Sequence, residues 1–99
     1  MRVILDLDTL KSFKNGIVYI AFNYNKHWYD HLDQMEKKVE TVKIYSYYDT
    51  LMRHLGVEVK QGFQEPILVW IVNGKAVCYI QQASLNTIYR ITNNYIYLN

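Results

Sequence analysis

Histidine and acidic side chains gather at one turn of the chain, just after a strongly apolar run. His27 and His31 lie four residues apart with Asp30 between them, so on a helix the two histidines face the same way. Such a set could ligate zinc or nickel. A structural zinc ion wants four ligands, and His54 is the only other histidine in the sequence. The pattern therefore predicts two solvated histidines at the start of a helix, with no bound metal or cofactor.

Aromatic residues occupy the same turn and suggest a contact surface. Trp28 and Tyr29 follow Tyr24 closely, and tryptophan and tyrosine are enriched at the energetic centres of protein interfaces. The alternative is that Trp28 begins the buried stripe of the helix, which continues through Leu32 and Met35. We expect Tyr29 to lie off that stripe, which makes it the better candidate for a contact with another protein.

A second group of aromatic residues raises the possibility of nucleic-acid binding. Tyr45, Tyr47 and Tyr48 lie near Lys43, and tyrosines beside a lysine could stack on bases and contact phosphates. The alternative is a strand edge with amphipathic tyrosines. The formal net charge is only +2, which does not by itself imply a polyanionic partner. The sequence therefore does not favour a nucleic-acid partner.

Length and composition limit the class of protein. The 99 residues, 51% of them hydrophobic, predict one domain over residues 1–99. No apolar run is long enough to span a membrane, and acidic residues near the amino terminus interrupt any signal-peptide core, so we expect a cytoplasmic protein. The single cysteine, Cys78, cannot form an internal disulfide and is predicted to be a small core residue. Abundant tyrosine, asparagine, isoleucine and lysine with little alanine fits an AT-rich coding sequence, as in many phages and some bacteria.

The elements that position these residues can be predicted from hydrophobic patterning. Residues 17–22 form an unbroken apolar run, which favours a strand covered on both sides. Residues 26–38 then show helical spacing, with an outer face of Asp33, Glu36 and Lys37. The predicted turn between them lies at the carboxyl end of a strand, where the sites of α/β proteins tend to lie.

The remaining elements complete an alternating order. Before the central strand the sequence predicts a strand over residues 2–7 and a helix capped by Asp8 that ends at Asn15-Gly16. After it come a strand over residues 41–47, a short helix from Asp49 to Gly56, strands over residues 67–72 and 75–80 joined by Asn73-Gly74, and a last helix from Ser84. Strands separated by helices should pair in parallel and the hairpin antiparallel, which predicts a mixed sheet with helices on both faces.

This order of elements resembles the thioredoxin fold. Gly56-Val57 is similar to the segment that ends a short helix in that family, and Glu65-Pro66 stands where the family carries its cis-proline. Asn73-Gly74-Lys75 looks like the hairpin of the family, and residues 80–91 resemble its closing strand and helix. The resemblance implies a thioredoxin-like α/β fold over about the whole chain, with a groove that recognises extended peptide.

The sequence departs from the family at the residues that carry its chemistry. His27-Trp28-Tyr29-Asp30 occupies the place of the Cys-x-x-Cys motif, and Ala21 falls where the family usually has a buried aspartate. Thiol–disulfide exchange needs an attacking thiolate and a resolving thiol, and the one thiol lies within the predicted hairpin. We therefore expect no redox activity.

These observations predict a thioredoxin-like, redox-inactive protein-binding module that is not an enzyme. The predicted contact residues are His27, Trp28, Tyr29, Glu65 and Pro66. A phage-encoded factor that binds and modulates a host protein is a further hypothesis, and the oligomeric state is left open. Two other classes also stay open, which are a nucleic-acid-binding protein with a tyrosine-rich surface and a small redox or metal-dependent enzyme.

Overall fold

The computed structural model describes residues 2–21, 26–36, 39–45, 49–57 and 66–81, with the backbone alone at positions 27, 28, 35, 80 and 81. The predicted final helix from Ser84 lies outside these residues, as do residues 58–65. The strands are β1 (Arg2–Val3), β2 (Gly16–Ile20), β3 (Thr41–Ile44), β4 (Ile67–Val72) and β5 (Lys75–Gln81). The helices are α1 (Leu7–Ser12), α2 (Lys26–Met35) and α3 (Asp49–Leu55). None of these helices has the length and apolar character needed to cross a membrane.

The five strands form one mixed sheet in the order β1-β3-β2-β4-β5. β3 pairs in parallel with β1 and β2, whereas β4 pairs antiparallel with both β2 and β5. All five residues of β2 are buried, as the apolar run predicts, because β2 is an internal strand with a hydrophobic core on each face. The predicted mixed sheet with an antiparallel hairpin is confirmed. The strand around Lys43, considered above as a possible sheet edge, is an internal strand.

Two hydrophobic cores lie on opposite faces of this sheet. Helices α1 and α3 cover one face, and α2 covers the other, so the prediction of helices on both faces is confirmed. The α1/α3 core includes Leu10, Phe13, Val18, Ile20, Leu51, Met52, Leu55, Val69 and Ile71. The α2 core includes Ile17, Tyr19, Ala21, Leu32, Val39, Leu68 and Trp70. Successive residues of β2 and β4 alternate between the two cores, as the period of a strand requires.

Glycines end one helix and tighten the hairpin where the sequence predicts. Gly56 has a φ of +73°. Its amide donates to the Arg53 carbonyl, and the Val57 amide donates to the Met52 carbonyl, which is the Schellman arrangement. In the two-residue turn between β4 and β5, Asn73 and Gly74 have φ values of +53° and +78°. Both values match a type I′ turn, so the predicted hairpin is confirmed.

The amino-terminal elements differ from the prediction. The strand predicted over residues 2–7 is reduced to Arg2–Val3, because Asp6 and not Asp8 caps α1. The Asp6 carboxylate accepts a bond of 2.7 Å from the Thr9 amide, so the chain has already turned toward the helix by Asp6. Helix α1 ends at Ser12, and Gly16 does not cap it. Gly16 instead opens β2 with a φ of +149°.

Candidate functional site

One end of the sheet brings together parts of the chain that are distant in sequence. Ile20 is paired with Ile67 on one side and with Ile44 on the other. One residue further along, the register therefore places Ala21 between Pro66 and Tyr45. We call this end of the sheet the Pro66 edge and define it by Ala21, Tyr45 and Pro66. It contains the carboxyl end of β2, where the sequence predicts a site.

Three tyrosines and a lysine pack together on the α2 face near this edge. The ring of Tyr29, in the first turn of α2, meets the ring of Tyr19 edge to face with centroids 5.7 Å apart. The Lys43 Nζ lies 4.8 Å from the Tyr29 centroid and 4.8 Å from the Tyr45 centroid. Tyr19 and Lys43 are register partners on β2 and β3, so their side chains share a face. We call Tyr19, Tyr29, Lys43 and Tyr45 the tyrosine–lysine cluster.

The cluster encloses most of a lysine side chain. Lys43 is only 6% exposed, and burial of an ammonium group is costly unless other groups replace its water. Among the described residues no carboxylate oxygen lies within 4.0 Å of its Nζ, whereas Arg2 and Lys26 each have such a partner. The negative faces of the two tyrosine rings supply cation–π attraction, worth about 0.5–2 kcal/mol for each contact. The lysine and the two rings therefore hold one another in place.

Tyr29 corrects one prediction about α2. We expect it off the buried stripe, but it is half buried and packs against the α2 core. Tyr29 and Leu32 are three residues apart, so both face the sheet on the same side of the helix. Part of the residue still reaches solvent. Its contact role stays a prediction, and the ring that would make the contact is held by its neighbours.

For the other predicted contact residues the structure describes the backbone or the position only in part. His27 and Trp28 belong to the first turn of α2 by their backbone, beside Tyr29, and their side chains are outside the description. Glu65 lies outside the described residues. Pro66 is half buried and directly precedes β4, where a residue without an amide donor fits. The structure thus places Pro66 beside the carboxyl end of β2, while the role of all four residues in binding stays a prediction.

The histidine pattern gains no third ligand from the described residues. His31 is partly buried on α2, and loss of solvent lowers the pKa of its imidazole. His54 is on α3, which packs on the opposite face of the sheet. The described part of the chain contains no group of three histidine, cysteine or carboxylate side chains arranged to hold a metal ion.

Cys78 corrects another prediction, because it is exposed and is not a core residue. It lies on β5 opposite Trp70, whereas Gln81 is the β5 residue opposite Ile67. Trp70 and Pro66 are four residues apart, so about 13 Å along the strand direction separates the thiol from the Pro66 edge. Neighbouring protein atoms exclude part of its water, which raises the pKa of the thiol. Nucleophilic thiolate is correspondingly scarce at neutral pH.

The sequence did not predict that Lys43 is buried in the tyrosine–lysine cluster. In the sequence it appears as a cation beside tyrosines that could contact phosphates. The available signal was its position between Val42 and Ile44, because alternation along a strand sends Lys43 to the face opposite theirs. That face is also covered, which the alternation alone does not reveal. A lysine that is 6% exposed offers little to a nucleic-acid phosphate, and Tyr47 and Tyr48 lie outside the described residues.

The sheet order, the crossovers and the closing hairpin define a thioredoxin-like α/β fold. Among solved structures, thioredoxin f2 of Chlamydomonas reinhardtii is similar to this chain with a TM-score of 0.62. The match covers 89% of this chain and 86% of the thioredoxin, at 16% sequence identity. At that identity the likeness establishes the fold and no activity. No family model and no curated protein sequence matches the chain.

Proposed function

We propose that this chain is a protein-binding module with a thioredoxin-like fold, which binds its partner at the Pro66 edge without thiol–disulfide exchange. The observation that carries the proposal is the antiparallel pairing of Ile20 with Ile67. This pairing sets Pro66 beside the end of β2, and the Tyr29 ring packs against Tyr19, two residues before Ala21. An extended segment of a partner could form main-chain hydrogen bonds with the chain beyond the last paired residues of these strands, while nearby side chains select it.

The packing of Tyr29 supports a binding role for the ring. A side chain that must be immobilised on binding costs about 0.5–1.5 kcal/mol in lost freedom. Tyr29 already packs against Tyr19 and lies over the Lys43 ammonium, so much of that ordering is present in the free protein. A half-buried tyrosine with its position fixed resembles the rigid aromatic anchors of protein interfaces.

The proposal includes the absence of redox turnover. Exchange needs one thiol to attack and a second to resolve the mixed disulfide. A single cysteine, exposed on β5 and distant from the Pro66 edge, is consistent with no active-site pair. Insulin reduction with dithiothreitol as the electron source tests this directly. We expect the protein to add nothing to the rate of the reductant alone, and catalysis that survives Cys78→Ser would contradict the thiol argument.

Site-specific photo-crosslinking tests the binding surface. A benzophenone amino acid is placed at Tyr29 and, as the matched control, at Arg53, which is exposed on α3 on the opposite face. On irradiation of cells that express each variant, we expect an adduct of discrete mass from position 29 that is absent from position 53. The same adducts from both positions, or none from either, would contradict binding at the Pro66 edge.

We extend the proposal to a phage-encoded factor that acts in the cytoplasm of its host and modulates a host protein. Its support is compositional, namely the excess of tyrosine, asparagine, isoleucine and lysine over alanine. Mass spectrometry of the position-29 adduct tests it, because the proposal requires a cytoplasmic partner encoded by the host. Nucleic-acid binding remains the competing function, and it predicts affinity that falls steeply with salt in a gel-shift titration.

A further inference from the structure

We propose that the outer edge of β1 docks a second copy of this chain, so that the two β1 segments pair antiparallel about a two-fold axis at Ile4. The product is a homodimer with one sheet continuous through both copies. This inference does not depend on the function proposed for the Pro66 edge, and either proposal can fail without the other.

The outer edge of β1 is open. Among the described strands, β1 lies at one end of the sheet and pairs with β3 alone. The ladder continues one residue past β1, because the Ile4 amide donates to the Lys43 carbonyl at 2.9 Å. Ile4 therefore directs its main-chain groups toward β3, and its neighbours Val3 and Leu5 direct theirs toward the open side. Such an edge offers donors and acceptors to another strand.

Two exposed apolar side chains lie along this edge. Val3 is 43% exposed and Leu5 is 58% exposed, whereas Ile4 between them is 0% exposed. This alternation is that of an extended chain with one covered face. Val3 is the register partner of Lys43, so Val3 and Leu5 lie on the α2 face of the sheet. Apolar surface beside an unpaired edge favours pairing with another chain.

The sequence along the edge is complementary to its own reverse. Residues 2–6 read Arg-Val-Ile-Leu-Asp, with a cation at one end, an anion at the other and three apolar residues between them. In antiparallel pairing centred on Ile4, Val3 lies opposite Leu5 of the partner subunit, and Arg2 lies opposite Asp6 of the partner subunit. Apolar pairs and opposite charges at facing positions stabilise paired strands. The two-fold axis makes each of these contacts twice.

The main-chain groups favour the same register. Val3 and Leu5 both direct their groups to the open side, so each Val3–Leu5 pair can exchange both of its hydrogen bonds. A shift of one residue would set outward-facing groups opposite inward-facing ones. A shift of two residues would set Ile4 opposite a charged residue, Arg2 or Asp6. The register centred on Ile4 is therefore the one in which hydrogen bonds, apolar pairs and charge pairs agree.

Both charged residues can form the new pair without giving up their present contacts. One nitrogen of Arg2 lies 3.1 Å from a Glu40 oxygen, and a guanidinium has five N–H donors in all. The Asp6 carboxylate accepts the Thr9 amide, and a carboxylate has about four acceptor positions. Asp6 has extended backbone angles, with φ −139° and ψ 158°, so it can lie at the end of a strand pair.

The contact is short, so the dimer should be weak. Five residues from each copy bury much less than the roughly 1,600 Å² of a standard interface, which places the contact in the weak and transient class. We expect a dissociation constant of about 0.05–0.5 mM at low salt.

Sedimentation equilibrium of the full chain between about 0.02 and 2 mM measures the dimer, and amide chemical shifts over the same range locate it. We expect the amides of Val3 and Leu5 to move with concentration. The amides of Val77 and Tyr79, on the opposite edge strand β5, should not move. A monomer at about 2 mM, or concentration-dependent shifts confined to β5 or to the Pro66 edge, would overturn the proposal.

Exposed positions supply the variants. Arg2→Glu sets like charges opposite each other at both ends of the pairing and should weaken the dimer at least about fivefold. Leu5→Lys places a cation in each apolar pair and should weaken it at least about tenfold. The matched control is Lys75→Glu, the same change of charge on the exposed edge strand β5, which should change the dissociation constant less than about twofold. Wild-type dimerisation by Arg2→Glu and Leu5→Lys would overturn the proposal.

A charge exchange tests the register itself. Arg2→Glu and Asp6→Lys each repel a second copy of the same variant, but a mixture of the two sets opposite charges at both ends of the pairing. We expect the mixture to dimerise within about threefold of wild type, although neither variant does so alone. A mixture no better than its components would overturn the register. Asp6→Lys also removes the cap of α1, so circular dichroism must show that it folds; if it does not, Arg2→Glu and Leu5→Lys decide.

Discussion

Gly16 occupies a position where a single methyl group would collide with a backbone carbonyl and with an aromatic ring. Its φ of +149° lies in a region that L residues rarely adopt, and such strain costs about 1–3 kcal/mol. A Cβ there would overlap the Glu40 carbonyl oxygen and the Phe13 ring. Crowding a packed core costs about a further 1–3 kcal/mol. The Glu40 oxygen also accepts the Ile17 amide at 2.9 Å, and disturbing that bond costs about 1 kcal/mol.

We therefore expect Gly16→Ala to lower the free energy of unfolding by about 3–7 kcal/mol, a large part of the roughly 5–15 kcal/mol typical of a domain. Gly56→Ala is the matched control. Gly56 also has a positive φ, of +73°, but among the described residues no heavy atom lies within 4 Å of its would-be Cβ. Gly56→Ala should therefore lower the free energy of unfolding only by the cost of a positive φ for alanine, about 1–2 kcal/mol.

Urea unfolding followed by far-ultraviolet circular dichroism measures both changes, with linear extrapolation to water. A Gly16→Ala chain that fails to fold would agree with the upper end of the estimate if Gly56→Ala folds normally. Two variants that differ by less than about 1 kcal/mol would refute the reasoning, because collision with Glu40 and Phe13 is the main difference between the sites.

Other positions give further expectations. Lys43→Met should leave the free energy of unfolding unchanged or raise it by about 1 kcal/mol, since methionine fills similar space without a buried charge. If urea unfolding instead shows a clearly lower free energy of unfolding, the attraction of the lysine to the two tyrosine rings exceeds the cost of removing the lysine from water. The Thr9 amide lowers the pKa of the Asp6 carboxyl, so its capping contribution is full above the ordinary aspartate pKa and disappears as pH falls through the lowered one. The stability difference between wild type and Asp6→Ala should shrink on that acidic side, and a constant difference would count against it. Native Cys78 should react with an aromatic disulfide reagent, with its rate rising at a higher pH than that of free cysteine; reaction only after denaturation would show it to be buried.

The sequence predicts the parts of the fold where a short segment is compatible with only one kind of local structure. The runs in β2 and β4 are apolar on both faces, so only internal strands accommodate them. Asn73-Gly74 and Gly56 supply positive φ values at low cost, which fixes the hairpin and the end of α3. These predictions use information contained within a few neighbouring residues.

The predictions that fail depend on what the rest of the chain brings. Arg2–Val3 is shorter than predicted because Asp6 can either continue a strand or cap a helix, and the helix prevails. Alternation gives the face of Lys43 but not the tyrosines that cover it. Cys78 is exposed because its strand is the last of the described sheet. The sequence predicts the position of the candidate site, at the carboxyl end of β2, whereas the burial of its side chains depends on long-range packing.

The tip of the β4–β5 hairpin has a consequence for anyone who modifies this protein. The Gly74 amide donates to the Lys14 carbonyl at 2.8 Å, and the Asn73 amide donates to the Asn15 Oδ1 at 3.1 Å. A hairpin tip usually tolerates epitope tags, dyes or a new pair of termini. Here an insertion would detach the turn from a loop 58 positions earlier in the chain, so such additions belong elsewhere on the molecule.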